Sequence, residues 1–269
     1  MKTLLIDAGN TGLKWSILSG KELSDQRRCT YRQKSPQDCF DQILESHKNE
    51  IDDVYLVSVL GDAFIESIEC SSEKHKVTLH NITSQKDLAG IQNAYDEPDK
   101  LGADRLVAMI GAKHHYKDSD QDTSFIIIDS GTATTVDAFD GSGKHYGGLI
   151  LPGIDLCTQS LLKNTKQLPL WGAGDAKEEG EHQFKPEIFS KSTAQAIQSA
   201  SIFGLAGAID SICTKMKSKM SNDVDIKTIL CGGNTDLLQP YLDSRYILNE
   251  DLIMLGLKTI AELETNKTP

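Results

Sequence analysis

A five-residue pattern occurs twice in this 269-residue chain, as Asp7-Ala8-Gly9-Asn10-Thr11 and as Asp129-Ser130-Gly131-Thr132-Ala133, each directly after an apolar run. A carboxylate at a strand end beside a glycine-containing turn is able to hold a hydrated magnesium ion, while the turn's N–H groups and hydroxyls face phosphate oxygens. That chemistry selects Asp7, Asn10, Thr11 and Thr132, with Lys14 one short strand step beyond the first turn as a point charge for phosphates. A single copy is weak evidence, because Asp and Asn also stabilise ordinary turns. Two copies at matching positions weaken that alternative, and a nucleoside triphosphate fits between two such turns.

A second constellation is Leu101-Gly102-Ala103-Asp104-Arg105, a carboxylate and a guanidinium side by side at an expected helix start, where the helix terminus itself favours anions. Asp104 is placed either to cap the helix, with Arg105 as a surface partner, or to accept a hydroxyl proton while Arg105 steadies a substrate carboxylate or a transferring phosphoryl group. His114-His115 reads as a helix-end pair rather than a metal site, and Trp15 and Trp171 as packing residues.

The elements that must position these residues follow from periodicity. The runs Thr3-Leu4-Leu5-Ile6 and Phe125-Ile126-Ile127-Ile128 read as buried strands, and 13–18 and 134–139 as return strands, giving two glycine-containing hairpins. Further strands are expected near 24–31 and 53–59. Helices are expected near 36–48, 62–70 with Asp62 as N-cap, and 103–116. Strands and helices alternate, as in an α/β fold. The polar stretch 117–122 is read as a hinge between halves 1–117 and 118–269. Beyond it come a hairpin, Gly147-Gly148, a helix near 154–163, an irregular stretch over 164–190, a helix over 192–216, a strand over 226–231 and a closing helix over 251–264; residues 265–269 are expected to fray. The helix over 192–216 carries Ala196, Ile197, Ala200, Phe203, Gly204, Ala208 and Ile212 at helical spacing, expected to be a core face and also suited to a dimer interface.

Composition bounds the class. With 39% hydrophobic and 25% charged residues the chain is an ordinary globular one. The net charge of -11 opposes binding to a nucleic-acid backbone yet leaves ATP compatible through local donors and cations. The six cysteines form no CxxC pair and no zinc spacing, so reduced thiols are expected. With no apolar leader after Met1-Lys2 and no run near about 18 apolar residues, the expectation is a cytoplasmic protein without a membrane span.

Taken in order, Asp7-Ala8-Gly9-Asn10-Thr11-Gly12-Leu13-Lys14, Gly102-Ala103-Asp104-Arg105, Asp129-Ser130-Gly131-Thr132-Ala133-Thr134 and Gly147 to Gly153 resemble the type III pantothenate kinase family, over nearly the whole chain. The resemblance implies an actin-like ATPase fold: two ribonuclease-H-like lobes with mixed sheets flanked by helices, ATP lying in the cleft. It implies transfer of the γ-phosphoryl of ATP to the primary hydroxyl of pantothenate, giving 4'-phosphopantothenate, the first step towards coenzyme A. Residues 7–14 and Thr132 would bind ATP, and Asp7 magnesium, directly or through water. Asp129 would hold potassium or ammonium, and Asp104 would be the general base. Tyr95, Gly102, Ala103, Asp104, Arg105 and Thr193 would form the pantothenate pocket, near the interface of a homodimer. The chain departs from many members in carrying Leu106 where they have Trp. A non-catalytic regulator that keeps the fold, and a kinase or phosphohydrolase acting on another substrate, are the competing readings; the intact Asp7, Asp104 and Asp129 disfavour the first, and the Gly102 to Arg105 segment with Tyr95 the second.

Overall fold

Both hairpins form, and each opens a sheet of the same design. In this computed structural model, which describes residues 2–31, 34–117, 123–164, 184–220, 225–243 and 245–266, β1 (Lys2–Ala8) pairs antiparallel with β2 (Gly12–Ser19), which also pairs with β3 (Glu22–Leu23) and β4 (Arg27–Thr30). After α1 (Pro36–Ser46) the chain returns as β5 (Asp53–Ser58), parallel to β1, and after α2 (Asp62–His75) as β6 (Thr78–Ile82), parallel to β5. A small pair, β7 (Asp87–Leu88) and β8 (Ile91–Gln92), then leads to α3 (Ala103–Tyr116).

The second half repeats the plan. β9 (Ser124–Ser130), β10 (Ala133–Phe139) and β11 (His145–Pro152) form an antiparallel meander. Next come α4 (Ile154–Asn164) and α5 (Thr193–Lys217), then β12 (Ile226–Cys231), parallel to β9. The short α6 (Thr235–Leu238), β13 (Ile247–Leu248) and α7 (Leu252–Thr265) complete the chain. The strand orders β3-β2-β1-β5-β6 and β11-β10-β9-β12-β13 share one sequence of antiparallel and parallel pairings, so the repeat seen in five residues extends to the topology of each half.

Three apolar clusters hold these layers. One buries Leu4, Ile6, Phe40, Leu44, Val54 and Ile68 between the first sheet and the pair α1 and α2; its counterpart buries Ile126, Ile128, Val136, Ile202, Leu205 and Ile209 against α5. The third lies where α3 and α7 cross, and takes residues from both sheets, including Leu5, Val57, Phe125 and Ile229. Gly111 and Gly256 make that crossing possible: a Cβ on Gly111 would collide with the Leu252 carbonyl, and one on Gly256 with the Val107 carbonyl.

Several expectations change. α2 runs on to His75, and its N-cap is Gly61, with Asp62 inside the first turn where its charge complements the helix dipole. β6 went unread because its Thr-Leu-His-Asn-Ile sequence buries only Ile82. On α5 the expected core face is the wrong one: Ser199, Ile202, Leu205, Ala206, Ile209 and Cys213 are buried, while Ala196, Ala200 and Gly204 are exposed and Ile197, Phe203, Ala208 and Ile212 half-buried. Ala and Gly remove little apolar area from water, so the side bearing Ile202, Leu205 and Ile209 wins the core. α5 is long and apolar enough by composition to cross a membrane, a property that core helices share. The expectation of reduced thiols is also corrected. Cys29 on β4 and Cys39 on α1 form a disulfide with Cα atoms 6.1 Å apart, because α1 folds back over the sheet that β4 joins. The expectations for Trp171, for most of the hinge at 117–122, for most of 164–190 and for the last three residues lie outside the described residues.

Candidate active site

The two hairpin turns meet. Asp7, the penultimate residue of β1, lies directly opposite Lys14 on β2, and Asp129, the penultimate residue of β9, lies opposite Thr135 on β10. The first turn is closed by the Gly9 N–H donating to the Gly12 carbonyl at 3.2 Å, the second by the Gly131 N–H donating to Ala133 at 3.0 Å. Thr11 and Thr132, exposed at the two turns, share a hydrogen bond of 3.1 Å between their hydroxyls. Asn234, after β12, braces the second turn, its backbone N–H on the Ser130 carbonyl and its side-chain amide on the Gly131 carbonyl. Asn10 is exposed beside Thr11, Ala8 and Leu13 are buried, and Gly12 half-buried.

Asp7, Asp104 and Asp129 gather in this cleft and feel one another electrostatically. Burial pushes Asp7 up to about 7, Lys14 opposing and the negative charges of Asp129 and Asp104 adding to the rise. Burial likewise pushes Asp129 up to about 6, again with Lys14 opposing and with Asp104 adding. Asp104 is raised chiefly by burial, although its carboxylate accepts the Arg105 N–H at 2.8 Å. One lysine therefore serves two strand-end carboxylates. Arg28 adds to Lys14 at Asp7 and Arg105 opposes the rise at Asp104, yet burial and the neighbouring negative charges outweigh these cations at all three acids, a setting that suits cationic ligands and the metal complex of a polyanion. Among the described residues no cluster of three or more His, Cys, Asp or Glu is arranged to hold a metal by protein ligands alone. Magnesium fits such a place, since it typically takes one or two carboxylates and completes its shell with waters and substrate phosphates.

On the other side of Asp104, the helix-start segment departs from its simplest reading. Gly102 is the N-cap of α3, Ala103 and Asp104 follow in the first turn, and Arg105 is no surface residue: it is 6% exposed. Its Nε and Nη2 donate to the two carboxylate oxygens of Asp137 at 2.8 and 2.6 Å, and its Nη1 donates to the Tyr95 hydroxyl at 2.8 Å. A guanidinium expected to anchor a substrate anion is thus spent largely on the protein. Asp137 and its partner His145, 3.1 Å away, were not singled out from sequence. The signal available was Asp137 as the one charged residue of β10, flanked by Val136, Ala138 and Phe139. Thr193 is exposed in the first turn of α5, a helix packed chiefly on α4, and among the described residues no hydrogen bond joins it to Tyr95, Asp104 or Arg105.

Two halves of repeated topology, with their hairpin turns facing one another, form the architecture of the actin-like ATPase fold. Among solved structures the chain is similar to MreB5 of Spiroplasma citri bound to ADP, at 10% identity, a TM-score of 0.52 and coverage of 98% of this chain and 96% of that one. It is also similar to a Baf family transcriptional activator from Campylobacter jejuni, at 21% identity, a TM-score of 0.56 and coverage of 98% and 99%. At such identities the likeness concerns the fold alone. The sequence goes further: the family profile described as type III pantothenate kinase matches residues 3–215. The chain is 30% identical over 271 residues to a type III pantothenate kinase from Janthinobacterium sp. (strain Marseille), covering 96% of each. The chain belongs to the type III pantothenate kinase family, enzymes that use ATP to phosphorylate pantothenate on the way to coenzyme A.

Proposed function

We propose that residues Asp7 to Lys14 and Thr132 surround the phosphates of ATP, that Tyr95, Gly102, Ala103, Asp104 and Arg105 line the pantothenate side, and that Asp104 is the catalytic base. The observation that carries this reading is the grouping of Asp104 with Asp7, Asp129 and Lys14 at the meeting point of the hairpins. The primary hydroxyl of pantothenate attacks the γ-phosphorus, the bond from that phosphorus to the bridging oxygen of ADP breaks, and the hydroxyl proton passes to Asp104. An upward shift from the ordinary carboxyl value makes Asp104 a better proton acceptor than a surface aspartate. Lys14 and the turn N–H groups stabilise charge on the phosphate oxygens by fixed position.

Asp7 would hold magnesium, directly or through water, and Asp129 a potassium or ammonium ion. Bound there, such cations would offset the crowded carboxylates and neutralise charge developing on the phosphates. The experiment for this reading incubates purified protein with ATP, magnesium, potassium and pantothenate and follows ADP. Release that depends on pantothenate supports it, and release indifferent to pantothenate overturns it.

We further propose two lobes, 1–117 and 118–269, a cytoplasmic location and a homodimer. The location rests on the biosynthetic role, since the Cys29–Cys39 disulfide removes the argument from cysteines. The dimer is supported by the face of α5 on which Ala196, Ala200, Gly204 and Ala208 recur every fourth residue and stay exposed or half-buried, a spacing that lets helices approach closely. The edge strand β11 adds exposed Leu149 and Ile150. Thr193, at the start of the same α5, would then reach the pantothenate pocket near the dimer interface.

A further inference from the structure

Behind Asp104 lies a closed polar circuit that the phosphoryl transfer itself does not use. Asp137 on β10 has a side chain 3% exposed and accepts from both nitrogens of one edge of the Arg105 guanidinium, Nε and Nη2. The fully buried His145, at the start of β11, meets Asp137 through Nε2 at 3.1 Å, and its Nδ1 accepts the backbone N–H of Ala94 at 3.4 Å. Because Nδ1 is the acceptor, a neutral His145 carries its proton on Nε2 and donates it to Asp137. Arg105 returns the circuit to the same loop through the Tyr95 hydroxyl, and the Tyr95 and His145 rings stack with centroids 6.3 Å apart. Four elements are tied in this way: β10, β11, α3 and the segment carrying Ala94 and Tyr95.

Stability alone is a poor reason for such a cluster. Desolvating a buried ion pair is costly, and apolar residues of equal volume often serve as well or better. A guanidinium held along one edge by a carboxylate and at its third nitrogen by a hydroxyl does fix direction, however. Arg105 anchored to Asp137 sets the rotation of the first turn of α3, where Asp104 projects, and its third nitrogen sets the Tyr95 hydroxyl. Gly148 leaves the required room, for a Cβ there would run into the Asp137 carboxylate, the Val136 carbonyl and Arg105 Nη2.

We propose that Asp137 and His145 are positioning residues for the acceptor half of the reaction, holding Asp104 and Tyr95 through Arg105 in the geometry that seats the alcohol substrate, without contributing to nucleotide binding. The role rests on the kinase reading above. The test compares Asp137→Asn, His145→Leu and His145→Gln, the last retaining an amide donor towards Asp137. Pantothenate KM and kcat are measured together with the affinity for a non-hydrolysable ATP analogue and the melting temperature.

Asp137→Asn and His145→Leu are expected to lower kcat/KM for pantothenate by about ten- to a hundredfold with analogue affinity unchanged, and His145→Gln to recover most of the loss. Folded variants with wild-type pantothenate kinetics, or with analogue affinity falling in parallel, overturn the proposal. If Asp137→Asn fails to fold, the His145 variants decide it by the same readouts: no recovery by Gln overturns it. A wild-type protein without pantothenate-dependent turnover overturns the kinase reading and this role with it, whereas wild-type turnover with unaltered variant kinetics overturns this role alone.

Discussion

Thr11 and Thr132 lie 121 residues apart in sequence, at the two copies of one turn, and their hydroxyls are 3.1 Å apart. The contact joins the halves where phosphates are proposed to bind, so each hydroxyl is positioned by the other before nucleotide arrives. Such a bond contributes about 0.5–1.5 kcal/mol net. Thr11→Val and Thr132→Val should each weaken binding of an ATP analogue, and the double variant should lose less than the sum of the singles, with a coupling of about that size. Calorimetric titration of the four proteins measures it. Additive losses would mean the threonines act separately.

The crowded carboxylates should make the ligand-free protein sensitive to pH. Folding raises Asp7 from an ordinary 3.8 to about 7 and Asp129 to about 6, in both cases chiefly by burial. The folded state therefore holds these protons more tightly than the unfolded chain, and stability falls as pH rises from about 4 towards about 7. Asp7→Asn should stabilise the ligand-free protein by about 1–3 kcal/mol at pH 8 and have little effect at pH 4, while removing activity. Urea unfolding at the two pH values gives the answer, and destabilisation at pH 8 would contradict the electrostatic account.

Gly147 and Gly148 are adjacent but should respond differently. Gly147 has φ near +99° with open space about it, so Gly147→Ala should lower stability by about 1–2 kcal/mol and leave pantothenate KM unchanged. Gly148→Ala pushes on the Asp137 and Arg105 pair, costing about 1–3 kcal/mol, and should raise pantothenate KM as well. Denaturant titration with steady-state kinetics separates the two effects, and equal kinetic behaviour would count against the steric argument.

Ala200, on the uncovered face of α5, offers a test of the proposed dimer. Ala200→Arg places a long cation where helices would meet, and light scattering should change from the mass of two chains to that of one. A variant that keeps the mass of two chains would move the interface elsewhere.

Much of this was legible in sequence because strand-end signals are local. Asp7 follows Leu4-Leu5-Ile6 and Asp129 follows Phe125-Ile126-Ile127-Ile128, each with a glycine two residues on, and that arrangement gave both hairpins and the cleft between them. Contacts made at long range were harder to foresee. Arg105 and Asp137 are 32 residues apart, and nothing in the spacing marked them as partners. The same holds for Cys29 and Cys39, which become neighbours only when α1 folds onto the sheet. The inner face of α5 was misread because the helix is apolar nearly all round, so periodicity alone does not choose a side, and small residues counted as much as Ile202 and Ile209.

In the proposed reaction Asp104 takes a proton from pantothenate beside a nucleotide held by the hairpins. The most direct measurement of this role is pantothenate-dependent ADP formation by Asp104→Asn, set beside its affinity for an ATP analogue. Asp104→Asn should keep wild-type nucleotide affinity while turnover falls by about a hundredfold or more. Turnover near the wild-type level would contradict the role.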